Sequence, residues 1–265
     1  MEITTLGPDG TYASAGVRKN FPDASVRFVD TISDVLESAS KGAQVVLPLE
    51  NSIEGTVRLS WDGILERKLK LIGLFKLPVH HVIGTRARNL KSVKKVVSHP
   101  QAISQCRKFL ARNLPDAKIE YVGSTAEAVK AAKRSVGVAA VSSKYACELY
   151  EVPILKEKIE DEKGNVTIFG VVGKEVAFVD SEPDEMHIMV TPRKNMPGLL
   201  FDILKPFKDR KIDLTRLESR PTRKKIGEYR FLLSFKLENK KACDTVLAKL
   251  RENYKVDNLG SSIWL

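Results

Sequence analysis

The feature that most constrains this chain is a regular alternation of short apolar runs with helical patterns, sustained from the N-terminus to about residue 175. Apolar runs at residues 3–6, 26–29, 45–47, 69–75, 93–98, 119–122 and 138–141 have strand length, and the stretches between them carry helix signals. Ser124 and Glu127 form a capping-box pair at the head of TAEAVKAAKR. Pro100 falls in the first turn of a helix running through QAISQCRKFLARN, where proline is tolerated. Strands alternating with helices predict an α/β fold with a mostly parallel sheet. In open sheets of that kind ligands bind beyond the carboxyl ends of strands. The loops that follow strands are therefore where chemistry is to be sought.

The pattern changes after residue 173. GKEVAFVDSEPDE, residues 173–185, is polar and acidic and reads as a domain boundary, with a linker over 176–185. Beyond it, residues 186–265 predict a strand at 186–191, a helix at 198–209, strands at 212–217 and around 229–235, a helix at 240–253 and a strand at 255–264. Leu199, Leu200, Ile203, Leu204 and Phe207 fall on one stripe of the first helix, which Pro206 is expected to kink or shorten. Tyr229, Phe231, Leu233 and Phe235 alternate as in a half-buried strand. The order βαββαβ is the ferredoxin-like split arrangement. No catalytic constellation falls within it.

The formal net charge of +11 raises the question of a nucleic-acid partner. The basic residues are scattered, with short clusters at 91–95 and 223–225. No aromatic residues interleave them as a single-strand platform requires, and no zinc-finger spacing occurs. A lysine-rich surface accounts for the charge better, and it suits an anionic substrate. Cys106, Cys147 and Cys243 are odd in number and far apart, so neither a disulfide framework nor a zinc site is expected. They read as small buried hydrophobes in a reducing cytoplasm. No run approaches the roughly 20 apolar residues of a membrane helix, and the N-terminal residues lack a signal-peptide pattern. His80 and His81 are adjacent, so on a strand they face opposite ways and cannot chelate a metal together. The absence of G-x-G-x-x-G and phosphate-loop patterns argues against a nucleotide cofactor. The absence of G-x-S-x-G argues against a serine hydrolase.

Four loops gather polar residues just after apolar strands. GPDGTYAS (residues 7–14) makes a tight turn from which Thr11 or Ser14 opens a helix whose N–H groups can hold an anion. LPLENSIEGTV (47–57) runs a strand into Glu50, Asn51 and Ser52, a carboxylate, an amide and a hydroxyl in succession. SHPQAISQC (98–106) puts Ser98 and His99 at a helix start, with Gln101 and Gln105 four apart on one face. NVTIFGVV (165–172) sets Thr167 on the same side of a strand as Asn165. Each alone is as readily a capped turn or a structural strand residue.

Taken in order, GPDGTYAS, LPLENSIEGTV, LPVHHVIG, SHPQAISQC, STAEAV, VGVAAVSS and NVTIF resemble the prephenate dehydratase family. PGLL (197–200) and LESRP (217–221) resemble the two signatures of that family's regulatory ACT domain, so the resemblance spans essentially the whole chain. It implies a two-lobed catalytic region over 1–175, similar to periplasmic binding proteins. One lobe would comprise residues 1–76 with 165–173, the other 77–163, and the ACT domain 186–265. It also implies conversion of prephenate to phenylpyruvate, carbon dioxide and water in phenylalanine biosynthesis, without a cofactor. Carried over from the family, Thr167 assists departure of the hydroxide, and Glu50 can help if burial raises its pKa. Asn51, Ser98 and Gln105 would bind substrate oxygens, with Ser52 and Thr11 as second contributors. L-phenylalanine would bind as effector at Gly198, Leu199, Leu200, Glu218, Ser219, Arg220 and Pro221, in a homo-oligomer (a dimer or a tetramer) formed through ACT domains. Two positions depart from the family pattern. Ile168 stands where the family has an arginine beside the threonine, and Leu199 stands where it has an alanine. A binding protein that has lost turnover is the alternative that Ile168 raises. A nucleic-acid-binding regulator is the one that the charge raises.

Overall fold

A computed structural model describes residues 1–173, 182–194, 196–222 and 227–265. Most of the expected linker, residues 176–181, and the basic cluster 223–225 lie outside the described residues. The chain runs β1 (Glu2–Leu6), α1 (Tyr12–Asn20), β2 (Ser25–Val29), α2 (Ile32–Ser40), β3 (Gln44–Asn51), β4 (Gly55–Thr56), α3 (Arg58–Glu66) and β5 (Lys70–Pro78). It continues with β6 (Val82–Thr85), β7 (Lys95–Ser98), α4 (Pro100–Gln105), α5 (Arg107–Asn113), β8 (Lys118–Tyr121), α6 (Thr125–Arg134), β9 (Val138–Ser142), α7 (Lys144–Leu149) and β10 (Ile154–Glu157). The last elements are β11 (Val166–Gly173), β12 (Glu185–Pro192), α8 (Leu199–Asp209), β13 (Leu214–Pro221), β14 (Tyr229–Lys236), α9 (Lys240–Asn253) and β15 (Tyr254–Trp264). Among the described residues no helix is long and apolar enough to cross a membrane.

Two compact units emerge, Met1–Ser38 with Val45–Ser60 and Phe75–Phe169, and Ala39–Gln44 with Trp61–Leu74 and Gly170–Leu265. The first unit holds two lobes, each built on its own sheet. One lobe orders its strands β11-β3-β1-β2, with β1 and β2 parallel and the short β4 folded back on the end of β3. The other orders them β10-β6-β9-β7-β8. Here β7 is parallel to both β8 and β9, but β6 is antiparallel to β9 and β10, so this sheet is mixed rather than mostly parallel. The antiparallel strands β6 and β10 adjoin the segments by which the chain enters and leaves the lobe. Apolar layers cover both faces of this sheet, one around Val96, Cys106 and Val141, the other around Val97, Val129 and Ala140.

The single helix expected after Pro100 is two. Cys106 breaks it: Asp161 N–H donates to the Gln105 carbonyl, and the Asp161 carboxylate accepts the N–H groups of Lys108 and Phe109, capping α5 anew. At α6 the Ser124 hydroxyl caps Glu127 N–H as expected. The returning Glu127 carboxylate takes Gly123 N–H at 2.9 Å, one residue before the cap.

In the second unit β12, α8, β13, β14, α9 and β15 form the ferredoxin-like βαββαβ arrangement, with strand order β13-β14-β12-β15. Helices α8 and α9 cover one face of the sheet, burying Ile203, Phe207, Val246 and Leu250 on Ile188, Phe231, Leu233 and Phe235. Each such side chain contributes about 1.5–3 kcal/mol by leaving water. Leu200, expected on the buried stripe, is 38% exposed. Pro206 does not shorten α8, which runs on to Asp209 with Pro206 buried inside it. Proline removes one helical hydrogen bond, and the packed stripe of Leu199, Ile203 and Phe207 offsets that loss. Strand β14 is not half-buried either. Leu232 and Ser234, on the face away from the helices, are also buried. On the side of α3, Trp61 lies 5.8 Å from the His187 ring, and Asp62 takes Arg220 at 2.9 Å and Arg230 at 2.8 Å. Strand β15 pairs in parallel with β5 through Ile263 and Trp264. Gly260, at φ +121°, passes so close to β5 that a Cβ there would sit 2.2 Å from the Leu71 carbonyl oxygen.

Candidate active site

A cavity of about 490 Å³ opens between the two lobes of the first unit. Its walls are loops that follow strands. After β1 the chain turns sharply into α1, where Thr11 caps Ser14 N–H at 3.2 Å and donates to the Leu6 carbonyl at 3.1 Å. The turn is braced by Asp9, which accepts hydrogen bonds from Ser14, Tyr145, Arg18 and Gly10 N–H. Burial works against its charge, but these donors outweigh burial and hold the carboxyl below the usual aspartate range. Thr11, Tyr12 and Ala13 at the start of α1, and Gly123, Ser124 and Thr125 at the start of α6, line the cavity. The positive ends of two helices therefore meet it.

On the floor lies a chain of amides whose orientation follows from the backbone. The Asn51 oxygen accepts N–H from Ile53 at 3.0 Å and Glu54 at 3.1 Å, so its nitrogen must point the other way. That nitrogen donates to Asn165 Oδ1 at 2.7 Å and to Thr167 Oγ1 at 3.0 Å. With its oxygen taken, Asn165 donates through Nδ2 to Gln105 Oε1 at 3.2 Å. The same oxygen lies 2.9 Å from His81 Nε2. Thr167, 8% exposed, accepts a hydrogen bond from Asn51 and keeps its own O–H to donate. Among the described residues the lining includes Asp30, Tyr12, His81 and His99 as ionisable groups, and no lysine or arginine. Burial lowers the His81 pKa, against the hydrogen bond to Gln105 and the Glu160 charge.

Of the residues singled out in the sequence, Thr167, Asn51, Gln105 and Thr11 line this cavity, and Glu50, Ser52 and Ser98 do not. Glu50 precedes Asn51 on β3 and pairs with Thr56 across the hairpin. The Ser98 hydroxyl is fully buried and donates to the Val141 carbonyl at 2.6 Å. Ser52 bonds to the backbone of residues 164 and 166. Ile168 lies between Thr167 and Phe169, which both line the cavity, and does not line it itself. Sequence reasoning missed Tyr12, and it noted His81, His99 and Asn165 without a role in the site. His99 caps α4 by accepting Gln101 N–H, and both side chains reach the cavity wall. The strand alternation that links Asn165 to Thr167 was the available signal.

In the second unit, Gly198 adopts a left-handed φ of +80° as the cap of α8, and Leu199 is buried beside it. Leu199 also lines a second cavity of about 610 Å³ together with Arg193, Lys205 and Lys249. Glu218, Ser219, Arg220 and Pro221 lie on β13 and do not line that cavity. Arg220 is buried in its ion pair with Asp62.

Comparison with known proteins bears on the identity of the cavity. The sequence model of the family described as "PDT: Prephenate dehydratase" matches residues 3–177. A prephenate dehydratase of Methanocaldococcus jannaschii is 37% identical over 265 residues, covering 97% of this chain and 95% of its own. The crystal structure of prephenate dehydratase from Staphylococcus aureus superposes with a TM-score of 0.87 at 28% identity, covering 99% of this chain and 100% of that one. The Arthrobacter aurescens enzyme, crystallised in complex with L-Phe, gives a TM-score of 0.87 at 27% identity, covering 99% of this chain and 90% of that one. The C-terminal βαββαβ unit agrees with an ACT-like regulatory domain. This chain belongs to the prephenate dehydratase family of carbon–oxygen lyases.

Proposed function

We propose that the chain turns prephenate into phenylpyruvate in phenylalanine biosynthesis, with the cavity between the lobes as the site and Thr167 as the donor to the departing hydroxyl. The observation that carries this reading is the Asn51–Thr167 hydrogen bond, because Oγ1 accepts in it and the Thr167 proton is left to be donated. The electron pair of the ring–carboxylate bond moves into the ring as carbon dioxide leaves. The opposite C–O bond breaks with its pair, and the hydroxide takes the Thr167 proton to become water. One proton from solvent restores Thr167, so each turnover takes up one proton overall. Aromatisation drives the step, so no electron sink is required of the protein. The two substrate carboxylates meet the starts of α1 and α6 and the amide nitrogens of Gln101 and Gln105. Glu50 stays outside this scheme because it does not line the cavity. Ile168 does not line it either.

The regulatory reading is that L-phenylalanine binds the ACT-like unit of a homo-oligomer and lowers the rate. Its support is the likeness to a relative crystallised with L-Phe. A cytoplasmic location, which suits three free cysteines, belongs to the same reading. The test is phenylpyruvate formation by the purified protein, with and without millimolar phenylalanine. Turnover slowed by phenylalanine supports both parts; no phenylpyruvate at all overturns the enzyme reading, and an unaffected rate overturns the regulatory one.

A further inference from the structure

We infer that His81 is a positioning residue for this reaction: its imidazole fixes the Gln105 amide so that the amide nitrogen faces the substrate. The inference rests on the reading of the cavity just given.

His81 is 2% exposed and is held from three sides. Its Nε2 lies 2.9 Å from Gln105 Oε1 on α4, and its Nδ1 lies 3.1 Å from the Tyr12 hydroxyl on α1. Its backbone N–H donates to the Glu160 carboxylate at 3.0 Å. The Tyr12 ring meets the imidazole edge-on at 5.8 Å between centroids, and the Tyr12 hydroxyl also lies 2.7 Å from the His80 carbonyl, so its single proton serves either that carbonyl or Nδ1. So fixed a ring serves as a reference point for what it touches.

What it touches is the last amide of the chain that begins at Ile53 and Glu54 N–H. Each amide in that chain has its oxygen occupied by the donor before it, so Gln105 must present its oxygen to Asn165 and to His81. His81 Nε2 therefore carries a hydrogen. Both lone pairs of the Gln105 oxygen are used, and its nitrogen, with two hydrogens, is left for a ligand. If Gln105 turned over, its nitrogen would meet the Asn165 nitrogen, donor against donor, and its oxygen would face an anionic substrate. Asn165 alone opposes that flip with one hydrogen bond of 3.2 Å; His81 adds the shorter second one. A buried histidine with a neighbour at each ring nitrogen also serves simply as a packing residue, and the experiment separates the two roles.

His81→Phe keeps a ring against Tyr12 and removes the donor. His81→Gln keeps a donor at the reach of Nε2. The Phe variant should raise KM for prephenate about 10- to 100-fold, the loss of one hydrogen bond to a charged ligand plus a misdirected amide. Its kcat should stay within about threefold, because Gln105 holds the substrate before and during the reaction. The Gln variant should recover to within about fivefold of wild type. The decisive comparison adds His81→Phe to Gln105→Ala. If His81 acts through Gln105, the double variant is no worse than Gln105→Ala alone. Additive losses, a wild-type KM in His81→Phe, or no recovery in His81→Gln would each overturn the inference. Should His81→Phe fail to fold, Tyr12→Phe takes its place, with an expected rise in KM of about threefold to fivefold and refutation by an unchanged KM. Prephenate dissociation constants measured in a Thr167→Ala background decide the same ratios even if the wild type proves inactive, so this inference and the enzyme reading fail separately.

Discussion

The direction of the amide chain can be tested with a substitution that changes almost no volume. In Asn51→Asp one carboxylate oxygen can still accept the N–H groups of Ile53 and Glu54, so the hairpin between β3 and β4 keeps its local support. The other oxygen replaces a donor with a charged acceptor, 2.7 Å from Asn165 Oδ1 and 3.0 Å from Thr167 Oγ1. Thr167 would then donate its proton to the new carboxylate instead of the leaving group. A hydrogen bond to a charged group contributes roughly 1.5–3 kcal/mol, so diverting it slows the chemical step by about 10- to 150-fold. The added charge also faces a dianion. At about 6 Å and an effective dielectric constant of about 20, each like-charge pair costs about 2.8 kcal/mol before salt screening, enough to raise KM by about tenfold or more. Together kcat/KM should fall by about 10² or more, and the melting temperature should fall as well, because the new carboxylate oxygen faces Asn165 Oδ1 at 2.7 Å. The assay is steady-state phenylpyruvate formation alongside thermal unfolding. A folded Asn51→Asp protein with kcat/KM within about fivefold of wild type would refute the argument that Thr167 is oriented as a donor by Asn51.

Three further outcomes follow from the rest of the molecule. His187 is buried between the Ser234 and Ser262 hydroxyls, and burial pushes its pKa down to about 3. The unfolded chain binds a proton at His187 near pH 6.5 and the folded one does not, so stability falls as pH drops from about 6.5 toward 3. Between pH 7 and pH 5 the loss is about 2 kcal/mol by this linkage, and His187→Gln should remove that part of the pH dependence in denaturant unfolding; an unchanged slope would contradict a buried neutral imidazole. Gly260→Ala forces a methyl group against the Leu71 carbonyl and an unfavourable φ, and should destabilise by about 2–4 kcal/mol; a melting temperature equal to wild type would contradict the close approach of β15 to β5. Millimolar phenylalanine should raise the melting temperature by binding the native state, and at a hundred times its Kd the gain is about 2.7 kcal/mol; no shift at any concentration would remove phenylalanine as effector.

The strand–helix order and the βαββαβ unit were legible because alternating and helical periodicities differ strongly. What was not legible depended on phase and on partners distant in the sequence. Glu50 and Asn51 are neighbours on one strand, so they cannot both face one cavity, and nothing in LPLENS tells which does. It is the pair of N–H groups at Ile53 and Glu54 that turns Asn51 inward. Ser98 looked like a ligand-binding hydroxyl at a strand end, but its partner is the carbonyl of Val141, 43 residues away. In the sequence His81 invites only the question of metal chelation with His80. Its actual partners, Tyr12 and Gln105, come from helices far along the chain in both directions. Pro206 and β14 misled for a related reason. Their neighbours, the buried stripe of α8 and the α3 side of the sheet, are visible only once the elements pack.

The central claim is that one hydroxyl, on Thr167, serves the departing oxygen. The most direct measurement is kcat for phenylpyruvate formation by the wild type, Thr167→Ala and Thr167→Ser, each with its fold verified by circular dichroism. Losing a positioned proton donor should lower kcat about 10²- to 10⁴-fold in the alanine variant, and the serine variant should recover most of it. A folded Thr167→Ala protein turning over prephenate at the wild-type rate would contradict the account.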